Sequence, residues 1–294
     1  MPHTPLQSLG ENAVLKRILS CVSNAPASPE GPGDDCAVVA RNDEWDTLLK
    51  TDVVVENVHF TPDTEPRRIG RKALGRAVSD IAAMGGIPEH ALITILTYKE
   101  RPVELLEGIY RGIDEMANLF NISICGGETS SIPYDGLIIN VALTGRVERG
   151  QAVLRSGGKV DDILFVTGPL GGSFPSGHHL DFVPRVNEAR ALMQQRFIPT
   201  AMMDLSDGLG ADLPRLAQAS GCGYELTETI IPCNPGCTTS QAINDGEDYE
   251  LLLTLSPSDA RRIQQLEGIT LYPIGKLTQT THQATCGGWQ HFKA

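Results

Sequence analysis

Three aspartates fall within the segment DLSDGLGADL, at positions 204–213, and two glycines loosen the backbone between them. Carboxylates this close repel one another unless a positive group lies between them. Asp204 and Asp207 therefore predict a bound cation. Asp212 follows one helical turn later, and we expect it to be solvated on a helix face.

Three other segments place acids beside turns and strands. GPGDDCAVV sets Asp35 in a Gly/Pro turn, LLKTDVVVENVHF sets Thr51 and Asp52 in a strand, and AVSDIAAMGG sets Asp80 on an otherwise apolar helix. Each acid alone could be a turn residue, a local hydrogen-bond acceptor or a helix cap. Together, with no obvious basic counter-cluster in the sequence, they favour a hard cation with oxygen ligands, Mg²⁺ or Mn²⁺.

A nucleotide is the natural partner of several Mg²⁺ ions, because the metal neutralises phosphates that carboxylates would otherwise repel. The sequence contains no G-x-x-x-x-G-K-[ST] loop, no G-x-G-x-x-G after a strand and no H-R-D loop. The residues by themselves therefore indicate a phosphate-handling enzyme with several metal ions, built on neither common scaffold.

Composition excludes several classes of protein. The chain has 294 residues, 41% hydrophobic and 20% charged, with a net charge of −12, which opposes a basic nucleic-acid-binding surface. Its longest apolar runs are too short to span a membrane, and its first residues lack a signal-peptide pattern, so we expect a cytoplasmic protein. Seven scattered cysteines indicate reduced thiols, and CNPGC at 233–237 is interpreted as a loop rather than a zinc site.

Helical and strand periodicities alternate along both halves, which predicts an α+β fold in two layers. A polar, glycine-rich run at 150–162 predicts the start of a second domain, giving domains at 1–148 and 149–294. The longer predicted helices are 12–22, 67–85, 103–120, 186–197, 209–221 and 257–268. The predicted strands include 45–56, 90–98, 122–127, 136–147, 247–256 and 271–278.

From about Gly31 to Phe292, the motifs resemble the thiamine-monophosphate kinase family, in the superfamily of aminoimidazole ribonucleotide synthetase and selenophosphate synthetase. The strings that carry the resemblance are, in order, GPGDDCA, KTDVVVENVHF, ALGRAVSDIAAMGG, GGET, LRSGGKVDD, DLSDGLGADL, DGEDYELLLTL and GWQHF. The resemblance implies a two-domain aminoimidazole ribonucleotide synthetase-like fold, whose N-terminal strands form a barrel across a homodimer. It also implies ATP-dependent phosphorylation of thiamine monophosphate to thiamine diphosphate.

The resemblance assigns roles to positions that match the family motifs. The implied Mg²⁺ ligands are Asp35, Thr51, Asp52, Asp80, Glu128, Asp204 and Asp207. The implied ATP contacts are Gly127, Glu128, Arg155 and Ser206. The implied contacts to the thiamine substrate are His59, Glu247 and Trp289, and the implied catalytic residues are Asp207 and Arg155.

These roles agree with the chemistry of the side chains. Arg155 can donate a fork of hydrogen bonds to phosphate oxygens, and Trp289 offers an aromatic face to a cationic ring. Glu247 adds a countercharge. The resemblance further implies that the substrate's own phosphate oxygen attacks the γ-phosphoryl group in line, without a covalent enzyme intermediate.

Two positions depart from the family pattern. GGET stands where the family most often has GGDT, so Glu128 extends its carboxylate one methylene further. Lys50 stands where the family tends to have a small hydroxyl residue; it could replace a cation or bind phosphate, but strand alternation favours an outward side chain. An alternative function therefore stays open, a catalytically silent or retargeted ATP-binding relative.

Overall fold

The computed structural model describes residues 5–9, 11–23, 26–279 and 287–289. The helices are α1 Glu11–Leu19, α2 Pro66–Ala83, α3 Val103–Phe120, α4 Ser173–Ser176, α5 His178–Asp181, α6 Val186–Gln194, α7 Leu209–Ala219, α8 Thr239–Asn244 and α9 Pro257–Arg261. The strands are β1 Ala37–Ala40, β2 Trp45–Val55, β3 Ile87–Tyr98, β4 Ser123–Ile132, β5 Leu137–Glu148, β6 Ile163–Val166, β7 Ala201–Asp204, β8 Gly223–Leu226, β9 Leu251–Leu255 and β10 Tyr272–Thr278.

The first sheet has the strand order β1-β2-β5-β3-β4, antiparallel except for the β3–β4 pair. Side chains of β5 alternate strictly between buried and half-buried, because one sheet face packs on α2 and α3. The other face carries exposed apolar side chains, including Leu49, Val53 and Leu92. Within the described residues this sheet is open, with β1 and β4 at its edges, so no closed barrel forms in the single chain.

Helix α2 is the central element, since it packs against both sheets and against α3. Glycines let α2 and α3 approach closely: a Cβ atom on Gly70 would lie 1.9 Å from the carbonyl oxygen of Ile109, and one on Gly112 would lie 1.8 Å from that of Arg67. The larger hydrophobic core runs from these helices into the second sheet, where it includes Leu253.

The second sheet is antiparallel, in the order β7-β9-β6-β10-β8. Its strand β8 and the short helices α4, α5 and α8 are absent from the sequence prediction. The strand predicted from residue 247 begins only at Leu251, because Glu247 and Tyr249 have left-handed φ angles of 66° and 53°. The helix predicted over 257–268 ends at Arg261 and is followed by a 3₁₀ turn.

Other predictions concern the chain as a whole. The six described cysteines are free thiols, including Cys233 and Cys237 of the CNPGC segment. Among the described helices, none combines the length and apolar character needed to cross a membrane. The boundary between residues 148 and 149 stays a prediction.

Candidate active site

Three buried aspartates from distant parts of the sequence meet where the two sheets face α2. Asp35 lies in the turn before β1, Asp80 in the last turn of α2, and Asp204 at the end of β7. One carboxylate oxygen of each lies within 4.8 Å of the other two. Ser79 donates a hydrogen bond to Oδ2 of Asp204 at 2.7 Å, which fixes that carboxylate against α2.

The acidic cluster of Asp35, Asp80 and Asp204 has the properties of a cation site. Burial and the nearby Asp204 raise the pKa of Asp80 well above its usual range, against the opposing effect of Lys50. Burial and Asp35 raise the pKa of Asp204 to about 6. Oδ2 of Asp35 is buried and has no hydrogen-bond partner among the described residues. An oxygen-only donor set with an unsatisfied buried oxygen fits Mg²⁺, which would relieve the repulsion.

Lys50 faces the cluster, so the prediction of an outward side chain is wrong. Its Nζ lies 2.8 Å from Oδ1 of Asp80, and the attraction of Asp80 and Asp52 raises its pKa despite burial. Alternation along β2 places Lys50 and Asp52 on the inner face with buried Val54. The same alternation turns Thr51 to the outer face, where its Oγ1 donates to Asn140 at 3.0 Å, so its side chain does not join the cluster.

Basic side chains surround the acids, contrary to the expectation from the sequence that no counter-cluster exists. Nη2 of Arg155 lies 2.5 Å from Oδ1 of Asp35, and Nε of Arg76 lies 3.1 Å from Oδ2 of Asp52. The cations and acids line a cavity of about 790 Å³, the larger cavity, whose polar walls include Lys50, Asp52, Arg76, Asp80, Arg155, Asp204, Ser206, Asp207 and Arg215.

Asp212 is fully buried, so its predicted position on a solvated helix face is wrong. It lies in the first turn of α7 and points back to the preceding loop. Its Oδ2 accepts the backbone N–H groups of Ser206 and Asp207 at 3.1 and 3.0 Å, and its Oδ1 accepts from Arg215 at 2.8 Å. Asp212 therefore fixes the loop that presents Ser206 and Asp207.

A second cavity of about 280 Å³, the smaller cavity, adjoins the first. The three predicted substrate contacts come together here, since His59, Glu247 and Trp289 all line it. Its remaining lining residues are Val58, Arg76, Phe174, Ser206, Asp207, Gly246 and Tyr249. Four residues line both cavities: Arg76, Ser206, Asp207 and Tyr249. The two cavities therefore share a wall.

Beneath the smaller cavity, Lys72 is fully buried and holds residues of its wall together. Its Nζ donates to the carbonyl oxygen of His59 and to Oε2 of Glu247, and it lies 2.7 Å from Nδ1 of His179. Burial lowers the pKa of Lys72 to about 8, against the attraction of Glu247. Burial alone would raise the pKa of Glu247, but its contacts with His179 and Lys72 lower it to about 2, so Glu247 is a carboxylate.

His59 is neutral in this environment. Burial and the nearby Arg76 lower its pKa to about 4. Its Nδ1 accepts the backbone N–H of Val55 at 3.0 Å, which leaves the proton on Nε2. His59 can therefore contribute a hydrogen-bond donor to the smaller cavity, but not a positive charge.

Gly127 and Glu128 lie away from the cluster, on edge strand β4. The strand register places Asp52, Val141, Ile93 and Gly127 in one row across the first sheet. Three strand-to-strand steps of about 4.8 Å separate Asp52 from Gly127 by about 14 Å. Within one chain, the structure therefore does not bring Glu128 to the predicted metal ligands.

Comparisons with known proteins agree with this architecture. Residues 33–147 match the model of the AIR synthase related protein N-terminal domain, and residues 157–286 match that of the C-terminal domain. The thiamine-monophosphate kinase of Rhodopirellula baltica is 33% identical over 291 residues, covering 92% of this chain and 90% of the relative. The chain belongs to the thiamine-monophosphate kinase family. The Bacillus subtilis member is 32% identical over 275 residues, covering 84% of each chain.

Solved structures of the family share the fold. The structure described as "AaThiL complexed with AMPPCP and TMP" is 28% identical, with a TM-score of 0.86 over 99% of this chain and 100% of that chain. The Aquifex aeolicus thiamine monophosphate kinase is 27% identical, with a TM-score of 0.77 over 94% of this chain and 96% of that one. The two-domain, mixed α and β fold predicted from the family resemblance is confirmed.

Sequence reasoning missed Lys72 and Arg76 and misjudged the direction of Lys50, although a signal for each was present. Lys72, Arg76 and Asp80 are spaced four residues apart on α2, so they form one charged stripe on a helix that is otherwise largely buried. The inward direction of Lys50 could also have been predicted, because Lys50 lies two residues before Asp52 on the same strand and must share its face. Arg215, in contrast, is recognisable only after α7 is folded against its loop.

Replacing Lys72 by methionine should destabilise the fold by about 3–5 kcal/mol at pH 7, because it leaves the half-buried carboxylate of Glu247 without the fully buried cation that contacts it. The carboxylate contributes stability above its usual pKa of 4.5 and loses it as the pH falls toward about 2. The stability difference between wild type and Lys72→Met should therefore shrink between pH 4.5 and 2. Urea unfolding at several pH values measures it, with exposed Lys99→Met as control. Equal losses at pH 7 and 3.5 would contradict this account.

Replacing Lys50 by serine should increase the number of divalent ions that the protein binds. The ammonium group holds a positive charge beside Asp80, and its removal leaves the acidic cluster short of one cation. Equilibrium dialysis against Mn²⁺ should show about one more ion per chain for Lys50→Ser than for wild type or Lys99→Ser. An unchanged ion count would mean that Lys50 does not occupy a cation position.

Proposed function

We propose that this chain transfers the γ-phosphoryl group of ATP to thiamine monophosphate, forming thiamine diphosphate and ADP. The observation that carries the proposal is the wall shared by two chemically different cavities. The larger cavity is lined by carboxylates and arginines, whereas the smaller cavity has Trp289 and Glu247 in its wall. Family members named thiamine-monophosphate kinase, and the relative complexed with AMPPCP and TMP, support the assignment of nucleotide and acceptor to these cavities.

In this proposal the smaller cavity orients the acceptor. The ring of Trp289 offers its face to the cationic thiazolium, an attraction of about 0.5–2 kcal/mol, and the Glu247 carboxylate supplies a countercharge. His59 donates a hydrogen bond from Nε2. With the thiamine moiety held this way, its phosphate points to the shared wall and the larger cavity.

The larger cavity holds the polyphosphate. Asp35, Asp80 and Asp204 would hold Mg²⁺, with Asp52 and Asp207 beside them, and the bound ions would neutralise phosphate charge. Arg155 donates to phosphate oxygens, and the Ser206 hydroxyl lies in the shared wall to position a phosphate. The acceptor oxygen forms the new bond to the γ-phosphorus in line as the bond to the ADP oxygen breaks. Asp207 and Arg155, which line the larger cavity, are the proposed catalytic residues.

Purified protein with ATP and thiamine monophosphate should form thiamine diphosphate only when Mg²⁺ is present. Asp204→Asn should reduce the rate at least about 100-fold, because it removes a carboxylate from the cluster that stabilises transferred charge. The exposed Asp43→Asn should match wild type. Chromatographic detection of thiamine diphosphate measures the reaction. ATP binding without product would favour the alternative, a silent or retargeted relative.

We also propose that the protein acts as a homodimer, with the outer faces of two first sheets forming the predicted barrel. Exposed Leu49, Val53 and Leu92 on that face support this arrangement. Gly127, the neighbour of Glu128, lies about 14 Å from Asp52 of its own chain, so we expect Glu128 to serve the nucleotide site of the second copy. The cytoplasmic location stays a prediction.

Mixing two inactive variants tests the dimer. Asp80→Asn and Glu128→Ala should each lose most activity alone, and their mixture, after subunit exchange, should regain part of it. In a mixed dimer, one of the two sites then combines the intact Asp80 of the Glu128→Ala chain with the intact Glu128 of the Asp80→Asn chain. Light scattering should give twice the chain mass. Two inactive variants that do not complement, or a monomeric wild type, would contradict the shared site.

A further inference from the structure

The acceptor in the proposed reaction carries a phosphate, yet the smaller cavity has few groups that could bind one. Among its described lining residues, Asp207 and Glu247 are acidic, His59 is neutral, and Arg76 is the one permanent cation. Lys72 lies beneath this cavity rather than in its wall, where its ammonium is already bonded to His59, His179 and Glu247. A phosphate entering here would be repelled by the acids unless Arg76 compensates them.

We propose that Arg76 binds the phosphate of the acceptor at the junction of the two cavities and positions it for attack. The inference rests on the proposed function. Arg76 is one of the four residues that line both cavities. The acceptor phosphate must pass through this junction, because its oxygen has to reach the γ-phosphorus held in the larger cavity.

The hydrogen bonding of Arg76 leaves capacity for such a ligand. Nε donates to Oδ2 of Asp52 at 3.1 Å, which orients the guanidinium plane. Nη1 is buried and finds no acceptor among the described residues. A guanidinium has five N–H donors, and a buried donor without a partner costs free energy until an acceptor arrives. A phosphate oxygen at the junction would supply that acceptor.

The position of Arg76 also gives the acceptor a direction. Glu247 and Trp289 lie in the wall of the smaller cavity alone, whereas Arg76 is shared with the larger cavity. A cationic ring therefore belongs beside Glu247 and Trp289, and the anionic end beside Arg76. The fork of an arginine suits this task, since Nε can stay on Asp52 while the other N–H groups turn to phosphate.

Steady-state kinetics of Arg76→Gln test the proposal. The KM for thiamine monophosphate should rise about 10–100-fold, the range expected for losing hydrogen bonds to a charged group, with the KM for ATP changed less than about threefold. Arg76→Lys should recover only part of the loss, because it keeps the charge but not the fork. Arg71→Gln is the matched control, since Arg71 lies on the same helix and pairs with Glu115 outside both cavities.

Calorimetric binding separates phosphate recognition from general damage. Wild type should bind thiamine monophosphate more tightly than thiamine, and Arg76→Gln should lose that preference while binding thiamine as before. An unchanged preference in a variant with wild-type unfolding behaviour would overturn the role of Arg76. If wild type itself forms no thiamine diphosphate, the proposed function fails instead, whatever the variant does.

Discussion

The mutual repulsion of three buried carboxylates is the constraint on which the rest of the site depends. Asp35, Asp80 and Asp204 lie within reach of one small cation, and burial deprives them of the water that would otherwise screen their charges. Lys50 and Arg155 supply part of the compensation. They leave a buried oxygen of Asp35 without a hydrogen-bond partner among the described residues, so the cluster is not a closed ion-pair network and has room for a cation.

Helix α2 connects the acidic cluster to the smaller cavity. Most of its residues are buried, and Gly70 lets it pack closely against α3. Its charged stripe of Lys72, Arg76 and Asp80 runs along one face, from the floor of the smaller cavity to the acidic cluster. Because a single helix carries all three, the helical rise of about 1.5 Å per residue sets the spacing between the smaller cavity and the acidic cluster.

Backbone strain beside the smaller cavity is compensated by hydrogen bonds to the preceding loop and by Lys72. Glu247 and Tyr249 adopt left-handed φ angles, which cost free energy for residues with side chains. Hydrogen bonds from their backbone N–H groups to the carbonyl oxygens of Ser206 and Leu205, both at 2.8 Å, hold the segment. Lys72 anchors the Glu247 carboxylate from below. The segment therefore presents Glu247 and the shared wall in one fixed arrangement.

The sequence by itself determined the α+β class, most helices and strands, the family and the three aspartates of the acidic cluster. These depend on local periodicity and on strings of residues that are contiguous in the chain. It failed where the position of a side chain depends on which elements pack together: Asp212 is buried under its own loop, and Arg76 lines two cavities. Glu128 is the clearest example, because the order of strands in the first sheet sets its distance from the acidic cluster. The nucleotide site that we propose it serves belongs to a second copy of the chain. Charge pairing between distant elements follows from tertiary packing, and no pattern along one strand or helix encodes it.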